Sequence, residues 1–257
     1  MYDYMSNSTA FLIDWTKIRI VLWDVDGTIL NFFEAQKNAI RSCFDKFALG
    51  QCTDSMLMDY DGINHGYWKA LERGEITKRE VLSGRFKEFF EKYGIGNPAY
   101  DTEGLVDAFN EEYQVRLGDT ICYYPGVREI IDIFKDRGII QFAVTNGTKI
   151  AQERKLSLSG LDRIFDAIFI SEDVGFEKPN PQFFTQVLEE AKRRAADIRL
   201  SEILIIGDSL TSDMRLGDNV GIGTCWFNYQ GMNGRADSNV RVDLEINSFD
   251  ELMAELE

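Results

Sequence analysis

Short runs of apolar residues recur along the chain and are separated by stretches with helical spacing. Runs that are rich in Val and Ile and apolar at nearly every position are typical of strands buried on both faces of a parallel sheet. We predict six strands, at residues 18–23, 140–145, 167–170, 203–206, 224–227 and 242–246. The alternation of strands and helices predicts an α/β fold, doubly wound around a mainly parallel sheet.

Amphipathic spacing predicts helices between these strands. Apolar residues over 127–134 follow a helical period, and Gly138 provides a stop signal. A second helix is expected over 183–191. Ser248 and Glu251 have the spacing of a capping box, which predicts a last helix near the end of the chain.

One long segment interrupts this alternation. Apolar spacing there predicts helices over 32–47, 82–93 and 105–113, and we find no convincing strand. The second of these helices is expected to begin at a capping box formed by Thr77 and Glu80.

We therefore predict two domains. A helical domain spans 31–119, and it is inserted into a Rossmann-like core made of 1–30 and 120–257. Because the insertion directly follows the first strand, we expect it over the carboxyl edge of the sheet, where ligands bind in α/β folds. In that position it could act as a lid.

Composition and charge exclude several classes of partner. The net charge of −15 argues against binding of a nucleic-acid polymer and against an anionic membrane surface. The N-terminal residues lack a basic region, and no run approaches the ~18 apolar residues of a membrane span. The four cysteines show no metal or disulfide spacing, so we expect buried thiols in a cytoplasmic protein. His65 is the single histidine, and no nucleophile motif stands near it.

The end of the first strand carries the strongest chemical signal. Asp24 and Asp26 are one residue apart and lead into Gly27 and Thr28. Alternation along a strand would place both carboxylates on one side, where they repel each other unless a cation or a proton lies between them. The alternative is an ordinary acidic turn, since Asp-Gly is common turn chemistry.

Two later strand ends offer groups for phosphate oxygens. Thr145, Asn146 and Gly147 provide a hydroxyl, an amide and close backbone approach. Lys178, which precedes a helix, provides a compact positive charge. Each has a plain alternative, a turn for the first and a solvated loop lysine for the second.

A fourth strand end adds two carboxylates. Asp208 follows the strand at 203–206, and Asp213 lies five residues later. Carboxylate oxygens are the ligands preferred by a hard divalent cation. The alternative is an N-terminal cap of the following helix by Asp208 or Ser209, and Asp208 could serve both purposes.

Taken in order, these motifs closely resemble the haloacid dehalogenase superfamily of phosphohydrolases. The ordered set is Asp24-x-Asp26-Gly-Thr, Thr145, Lys178-Pro and Gly-Asp208 with Asp213. The helical insertion resembles that superfamily's first-type cap. Within the superfamily, Thr145-Asn146-Gly147 and the cap stretches at 62–65, 73–77 and 85–86 resemble the house-cleaning pyrimidine 5′-nucleotidases.

The resemblance implies a phosphatase that works through an aspartyl-phosphate. Asp24 would attack phosphorus, and Asp26 would protonate the leaving oxygen and then activate water. Asp26 at this position favours a phosphatase or a phosphomutase over a dehalogenase or a transport ATPase.

The resemblance also implies a Mg²⁺ cofactor. The metal residues would be the Asp24 carboxylate, the Asp26 carbonyl and Asp208, with Asp213 in the outer shell or on Lys178. Thr145 and Lys178 would contact the transferring oxygens, and Asn146 and Gly147 belong to the same substrate-binding loop.

The cap is expected to select the substrate, a small phosphomonoester. His65, Trp68 and Arg85, with Tyr67, are candidates to contact a base or sugar, although the aromatic residues could instead form the core of the helical bundle. A nucleoside monophosphate is favoured. A sugar-phosphate phosphatase, a phosphomutase and a catalytically silent binding module on this fold stay open, and the oligomeric state is undetermined.

Overall fold

The computed structural model describes residues 13–231 and 239–256. Residues 1–12, 232–238 and 257, which belong to the predicted core segments, lie outside the described residues. The sheet contains six parallel strands in the order β3-β2-β1-β4-β5-β6. They are β1 (Ile20–Trp23), β2 (Ile140–Thr145), β3 (Ala167–Ile170), β4 (Ile203–Gly207), β5 (Gly223–Phe227) and β6 (Leu244–Ile246). The predicted doubly wound α/β fold is confirmed.

Alternate residues of β1 bury opposite faces of the sheet. Val21 and Trp23 pack on one side, and Ile20 and Leu22 pack on the other. The first side is covered by α5 (Val127–Asp136), α6 (Lys149–Ser159) and α10 (Phe249–Leu256). The second side is covered by α7 (Ser171–Val174), α8 (Pro181–Arg194) and α9 (Arg215–Val220). This double coverage explains why the strands read as continuous apolar runs.

Four helices lie between β1 and β2 in the chain. They are α1 (Phe32–Lys46), α2 (Asp54–Glu72), α3 (Lys78–Tyr93) and α4 (Thr102–Leu117). We call these four helices the cap. Its interior is aromatic, with Phe86 within 5.1 Å of the rings of Tyr60, Phe109 and Tyr113. The apolar spacing predicted α1, α3 and α4, but it indicated no helix over α2.

Two predicted helix starts illustrate local hydrogen bonding. The capping box at Thr77 and Glu80 is present, with both reciprocal bonds formed. At the last helix, Ser248 accepts a hydrogen bond from the backbone N–H of Glu251, as the spacing predicts. The Glu251 side chain instead accepts from the backbone N–H of Asn247, one residue before Ser248. That start is therefore only half of a capping box.

The predicted strand at 242–246 begins two residues late, at Leu244. Asp243 explains the difference, because its carboxylate accepts a 2.9 Å hydrogen bond from the backbone N–H of Thr224. The Asp243 side chain thus accepts the hydrogen bond that a backbone carbonyl of the neighbouring strand would accept in a regular sheet.

Two further predictions concern thiols and membranes. The expectation of four buried thiols is wrong for Cys52 and Cys122, which are partly exposed, whereas Cys43 and Cys225 are buried. In the described ranges, no helix combines the length and the apolar character that a membrane span requires.

Candidate active site

The strand register brings the sequence motifs to one edge of the sheet. Trp23, the last residue of β1, is paired with Ala143 of β2 and Ile206 of β4. The residues that follow these three strands therefore emerge side by side, as parallel topology requires. They line a cleft of about 550 Å³ between the sheet edge and the cap.

A buried ammonium group ties two of the predicted carboxylates together. Lys178 Nζ lies 2.8 Å from Asp24 Oδ1 and 2.6 Å from Asp213 Oδ1. It also donates to the carbonyl of Val144, at 2.8 Å. Lys178 is almost completely buried, so its three donors are all satisfied inside the protein.

Burial dominates the protonation of Asp24. Removal from water raises the pKa of this carboxyl to about 7, while the nearby Lys178 opposes the shift and Asp213 adds to it. Burial alone would lower the pKa of Lys178, but the carboxylates of Asp213 and Asp24 outweigh it and raise that pKa.

Asp208 completes an acidic triad with Asp24 and Asp213. One ligand oxygen from each lies within 4.8 Å of the others. Burial raises the pKa of Asp208 well above its ordinary value, and the charges of Asp24 and Asp213 raise it further. Thr28 donates a 3.2 Å hydrogen bond to Asp24 Oδ2.

The triad fits a hard divalent cation. Its donors are carboxylate oxygens, and burial disfavours the charged form of Asp208, which a bound cation would stabilise. Two glycines make room for it. A Cβ on Gly27 would lie 2.5 Å from Asp208 Oδ2, and one on Gly207 would lie 2.4 Å from Asp213 Cγ. Only glycine leaves space for the two carboxylates at these positions.

Two roles were predicted for Asp213, an outer-shell contact to the metal and a partner of Lys178. Its Oδ1 accepts from Lys178, and its Oδ2 accepts a 3.1 Å hydrogen bond from the backbone N–H of Ser209. Ser209, not Asp208, caps the following helical segment, Leu210–Met214. The predicted N-cap is therefore confirmed for Ser209 and wrong for Asp208.

Asp26 lies in the cleft beside a helix that sequence analysis did not predict. Its Oδ2 accepts a 2.6 Å hydrogen bond from Gln152 Nε2, and its Oδ1 is paired with the ammonium of Lys155. Both partners belong to α6. Polar and apolar positions of this helix do not form a clear stripe, which is why its periodicity gave no signal.

The loop after β2 is ordered by its own side chains. Thr145 Oγ1 accepts from the backbone N–H of Gly147, at 3.0 Å. Asn146 exchanges hydrogen bonds with the backbone of Lys178, donating to its carbonyl and accepting from its N–H, both at 2.8 Å. Asn146 thus connects this loop to the loop that carries Lys178, and its amide is largely occupied there.

The predicted cap residues differ in how exposed they are and in whether they line the cleft. His65 and Trp68 line the cleft from α2, with His65 exposed and Trp68 half-buried. Arg85 also lines the cleft but is almost fully buried. Tyr67 is not among the lining residues and packs against Gly84.

Arg85 is held by amides. It donates to Asn64 Oδ1 at 2.9 Å and to Asn110 Oδ1 at 3.2 Å, and Trp68 Nε1 donates to the same Asn64 oxygen at 3.1 Å. Within residues 13–231 and 239–256, no carboxylate is placed to form an ion pair with Arg85. The cap wall of the cleft is therefore polar and fixed by hydrogen bonds.

Two sets of polar contacts join the cap to the sheet edge. On one side of the cleft, Lys69 and Glu72 of α2 form hydrogen bonds with Ser209 and Thr211.

On the other side of the cleft, Lys78 donates a 3.0 Å hydrogen bond to Ser171 Oγ and forms an ion pair with Glu172. Both sets of contacts join segments that are distant in the chain, so no local sequence pattern predicted them.

Comparison with known proteins agrees with this arrangement. The family model described as haloacid dehalogenase-like hydrolase matches residues 18–221. The chain belongs to this family of hydrolases, as sequence analysis predicted, and the prediction of a phosphatase is confirmed at the level of enzyme class.

Among individual proteins, the chain is similar to the HAD-hydrolase YfnB of Bacillus subtilis, with 35% identity over 82% of this chain and 85% of that protein. It is 30% identical to the pyrimidine 5′-nucleotidase PynA of Streptococcus pneumoniae over 82% and 84% of the two chains. The pyrimidine 5′-nucleotidase YjjG of Escherichia coli is 29% identical over 84% and 86%. The crystal structure of YfnB bound to magnesium has a TM-score of 0.81 at 33% identity, covering 93% of this chain and 99% of that chain.

Proposed function

We propose that the chain is a Mg²⁺-dependent phosphomonoesterase that hydrolyses nucleoside 5′-monophosphates through an aspartyl-phosphate on Asp24. The observation that carries the proposal is the buried arrangement of Asp24 between Lys178 and the acidic residue Asp208 at the open edge of the sheet. The names of PynA and YjjG support the nucleotide preference, and pyrimidine nucleotides are the substrates we favour.

The residues of the site account for the first step. A carboxylate oxygen of Asp24 attacks phosphorus, and the bond from phosphorus to the leaving oxygen breaks. Asp26 donates its proton to that oxygen. In this proposal, the positive charge of Lys178 beside Asp24 and the hydroxyl of Thr145 stabilise the charge that spreads over the transferring oxygens in the transition state.

In the second step, Asp26 accepts a proton from water as the water oxygen attacks phosphorus. The bond from phosphorus to Asp24 then breaks, which restores the carboxylate and releases inorganic phosphate. The Asp24 carboxylate, the Asp26 carbonyl and Asp208 would hold Mg²⁺, with Asp213 in the outer shell. Bound there, the cation supplies positive charge that offsets repulsion between a phosphate dianion and Asp24.

We propose that the helical segment 31–119 is the domain that selects the leaving group. Its residues Trp68, His65 and Arg85 line the same cleft as the acidic triad. A cleft of about 550 Å³ is within the range that accommodates a ligand the size of a nucleotide. Lys69 and Lys78 hold the cap against the sheet edge, where closure would exclude water from the reaction.

A substrate panel tests this proposal. The purified protein with Mg²⁺ is assayed for phosphate release from pyrimidine and purine nucleoside 5′-monophosphates, from hexose phosphates and from p-nitrophenyl phosphate. We expect the highest kcat/KM for pyrimidine nucleotides. Preference for hexose phosphates would indicate a sugar-phosphate phosphatase, and isomerised sugar phosphate without free phosphate would indicate a mutase. If the protein turns over none of these esters, the remaining interpretation is a catalytically silent binding module.

A further inference from the structure

The carboxylate that moves protons in the proposed reaction is held from one side by a single helix. Asp26 is joined by Lys155 at one oxygen and by Gln152 Nε2 at the other, 2.6 Å away. Lys155 and Gln152 are three positions apart in α6, so they lie on one face of that helix. Two contacts to two different oxygens fix the plane of a carboxylate and not only its position.

Lys155 is fully buried, whereas the Asp26 side chain is 17% exposed. A buried ammonium without a counter-charge is strongly unfavourable, because desolvation of the ion is not compensated. Asp26 is the carboxylate that pairs with Lys155. Breaking this pair would leave the ammonium buried without a counter-charge, so the contact is energetically favoured. The exposed edge of Asp26 faces the cleft.

Gln152 links this helix to the loop after β2 as well. A Cβ on Gly147 would lie 2.1 Å from Gln152 Nε2, so the absence of a side chain at position 147 leaves the space that the amide occupies. The amide therefore lies between the predicted phosphate loop and Asp26. Its carbonyl oxygen, Oε1, is buried without a hydrogen-bond partner among the described residues. The hydrogen bond that Nε2 donates to Asp26 is therefore the polar contact that orients the amide.

From these contacts we propose that Lys155 and Gln152 are positioning residues for Asp26. They orient its carboxylate so that the remaining lone pairs face the leaving oxygen and the water, and they do not touch substrate themselves. Each carboxylate oxygen has two lone pairs, so Asp26 can keep both contacts while it exchanges a proton in the cleft. This inference rests on the proposed function of Asp26 as general acid and base.

The test is a double-mutant cycle in kcat with Lys155→Met and Asp26→Asn, measured with a nucleoside monophosphate. Lys155→Met should lower kcat at least tenfold while KM changes less than threefold, since positioned acid–base groups contribute on the order of 10²–10⁴ in rate. In the Asp26→Asn background, the same substitution should lower kcat less than threefold, because the oriented group is already absent. The matched control is Lys149→Met, which removes an exposed lysine of the same helix.

A second readout separates orientation from general structural damage. In the first turnover, p-nitrophenyl phosphate has a leaving group that departs without a proton, whereas a nucleoside 5′-oxygen needs one. The rate of the first turnover in Lys155→Met should therefore fall several-fold more for the nucleotide than for p-nitrophenyl phosphate. Gln152→Met, which leaves no buried charge unpaired, should show the same pattern with a smaller loss even if Lys155→Met does not fold.

Three results would overturn the proposal. They are equal losses for the two leaving groups, losses that are additive with Asp26→Asn, or more than half of wild-type kcat in both variants. Each of these requires an active wild-type enzyme and leaves the proposed function intact. A wild-type protein that hydrolyses no phosphomonoester would remove the proposed function and this inference together.

Discussion

Lys178 Nζ donates a 2.8 Å hydrogen bond to Asp24 Oδ1, across 154 positions of the chain. The same ammonium pairs with Asp213, so one buried positive charge is shared by two carboxylates. Asp208 is the third member of the triad, and its raised pKa reflects burial and the charges of the other two. When ionised, the three carboxylates outnumber the one ammonium, so a cation bound among them would stabilise their charged forms.

Lys178→Met should destabilise the protein as well as inactivate it. Removing one partner of a buried ion pair costs about 3–5 kcal/mol, because the carboxylates of Asp24 and Asp213 are left buried without it. The free energy of unfolding, measured by urea denaturation, should show this loss. Lys192→Met, at an exposed position of α8, should leave both activity and stability close to wild type.

The stability loss of Lys178→Met should depend on pH in a defined direction. Lys178 lowers the pKa of Asp24, so its removal raises that pKa further. A carboxyl whose pKa is raised on folding stabilises the protein at low pH, and this contribution is lost as pH rises through the folded pKa. The difference from wild type should therefore be larger at pH 8 than at pH 5. A larger difference at pH 5 would contradict the assigned pair.

Asp24→Asn should abolish turnover in a folded protein. A neutral amide cannot form the acyl-phosphate, and loss of a covalent nucleophile lowers kcat by on the order of 10⁴ or more. Phosphate release and the thermal unfolding midpoint are measured on the same preparation. Asp132→Asn, an exposed carboxylate on α5, serves as control. Residual activity above a tenth of wild type would remove Asp24 from its proposed role.

Mg²⁺ should bind more tightly as pH rises from 6 to 8. The cation needs ionised carboxylates, and burial raises the pKa of Asp24 to about 7, so below that pH binding must displace a proton. For one displaced proton, the apparent Kd changes by about tenfold per pH unit on the acidic side. Isothermal titration at pH 6, 7 and 8 measures this directly.

Asp208→Asn provides the matching variant for the metal. It should weaken Mg²⁺ binding at every pH, and EDTA should remove activity from the wild type. Ca²⁺ should support activity poorly, because it prefers more ligands at longer distances. A Kd that does not change between pH 6 and pH 8, or full activity in chelator, would place the metal elsewhere.

Much of the core could be predicted because its signals are local. Strand β1 is apolar at every position, and its end delivers Asp24 and Asp26 within three residues. Parallel topology then brings the ends of β2 and β4 beside it, so Thr145 and Asp208 could be assigned to one edge without any knowledge of side-chain contacts.

The residues that were missed act across long separations. Lys155 is 129 positions from Asp26, and nothing in its own segment distinguishes it from a surface lysine of a helix. Helix α2 was also missed, because two glycines, Gly62 and Gly66, and several polar residues obscure its apolar face. Asn64 acquires a role only when α2 lies against α3, where Arg85 and the predicted candidate Trp68 both donate to it.

If the cap recognises the base of a nucleotide, substitutions in the part of the cap that lines the cleft should change the ratio of kcat/KM between substrates with and without a base. Trp68 is half-buried in the cleft, and its Nε1 is fixed by a 3.1 Å hydrogen bond to Asn64, so its ring is held in one orientation. A base stacked on such a ring gains about 1–3 kcal/mol. Trp68→Ala should therefore lower kcat/KM for a pyrimidine nucleotide about 5- to 150-fold more than for p-nitrophenyl phosphate, which has no base to contact the cap.

The control for this experiment is next in sequence. Tyr67 is an aromatic residue of the same helix that packs on Gly84 outside the cleft, so Tyr67→Ala should leave the ratio of the two kcat/KM values unchanged. His65→Ala should reduce the ratio less than Trp68→Ala, because His65 is exposed and no hydrogen bond fixes its ring among the described residues. If neither variant changes the ratio, Trp68 and His65 do not contact the substrate. Specificity would then lie with Arg85 and Asn64 deeper in the cap wall.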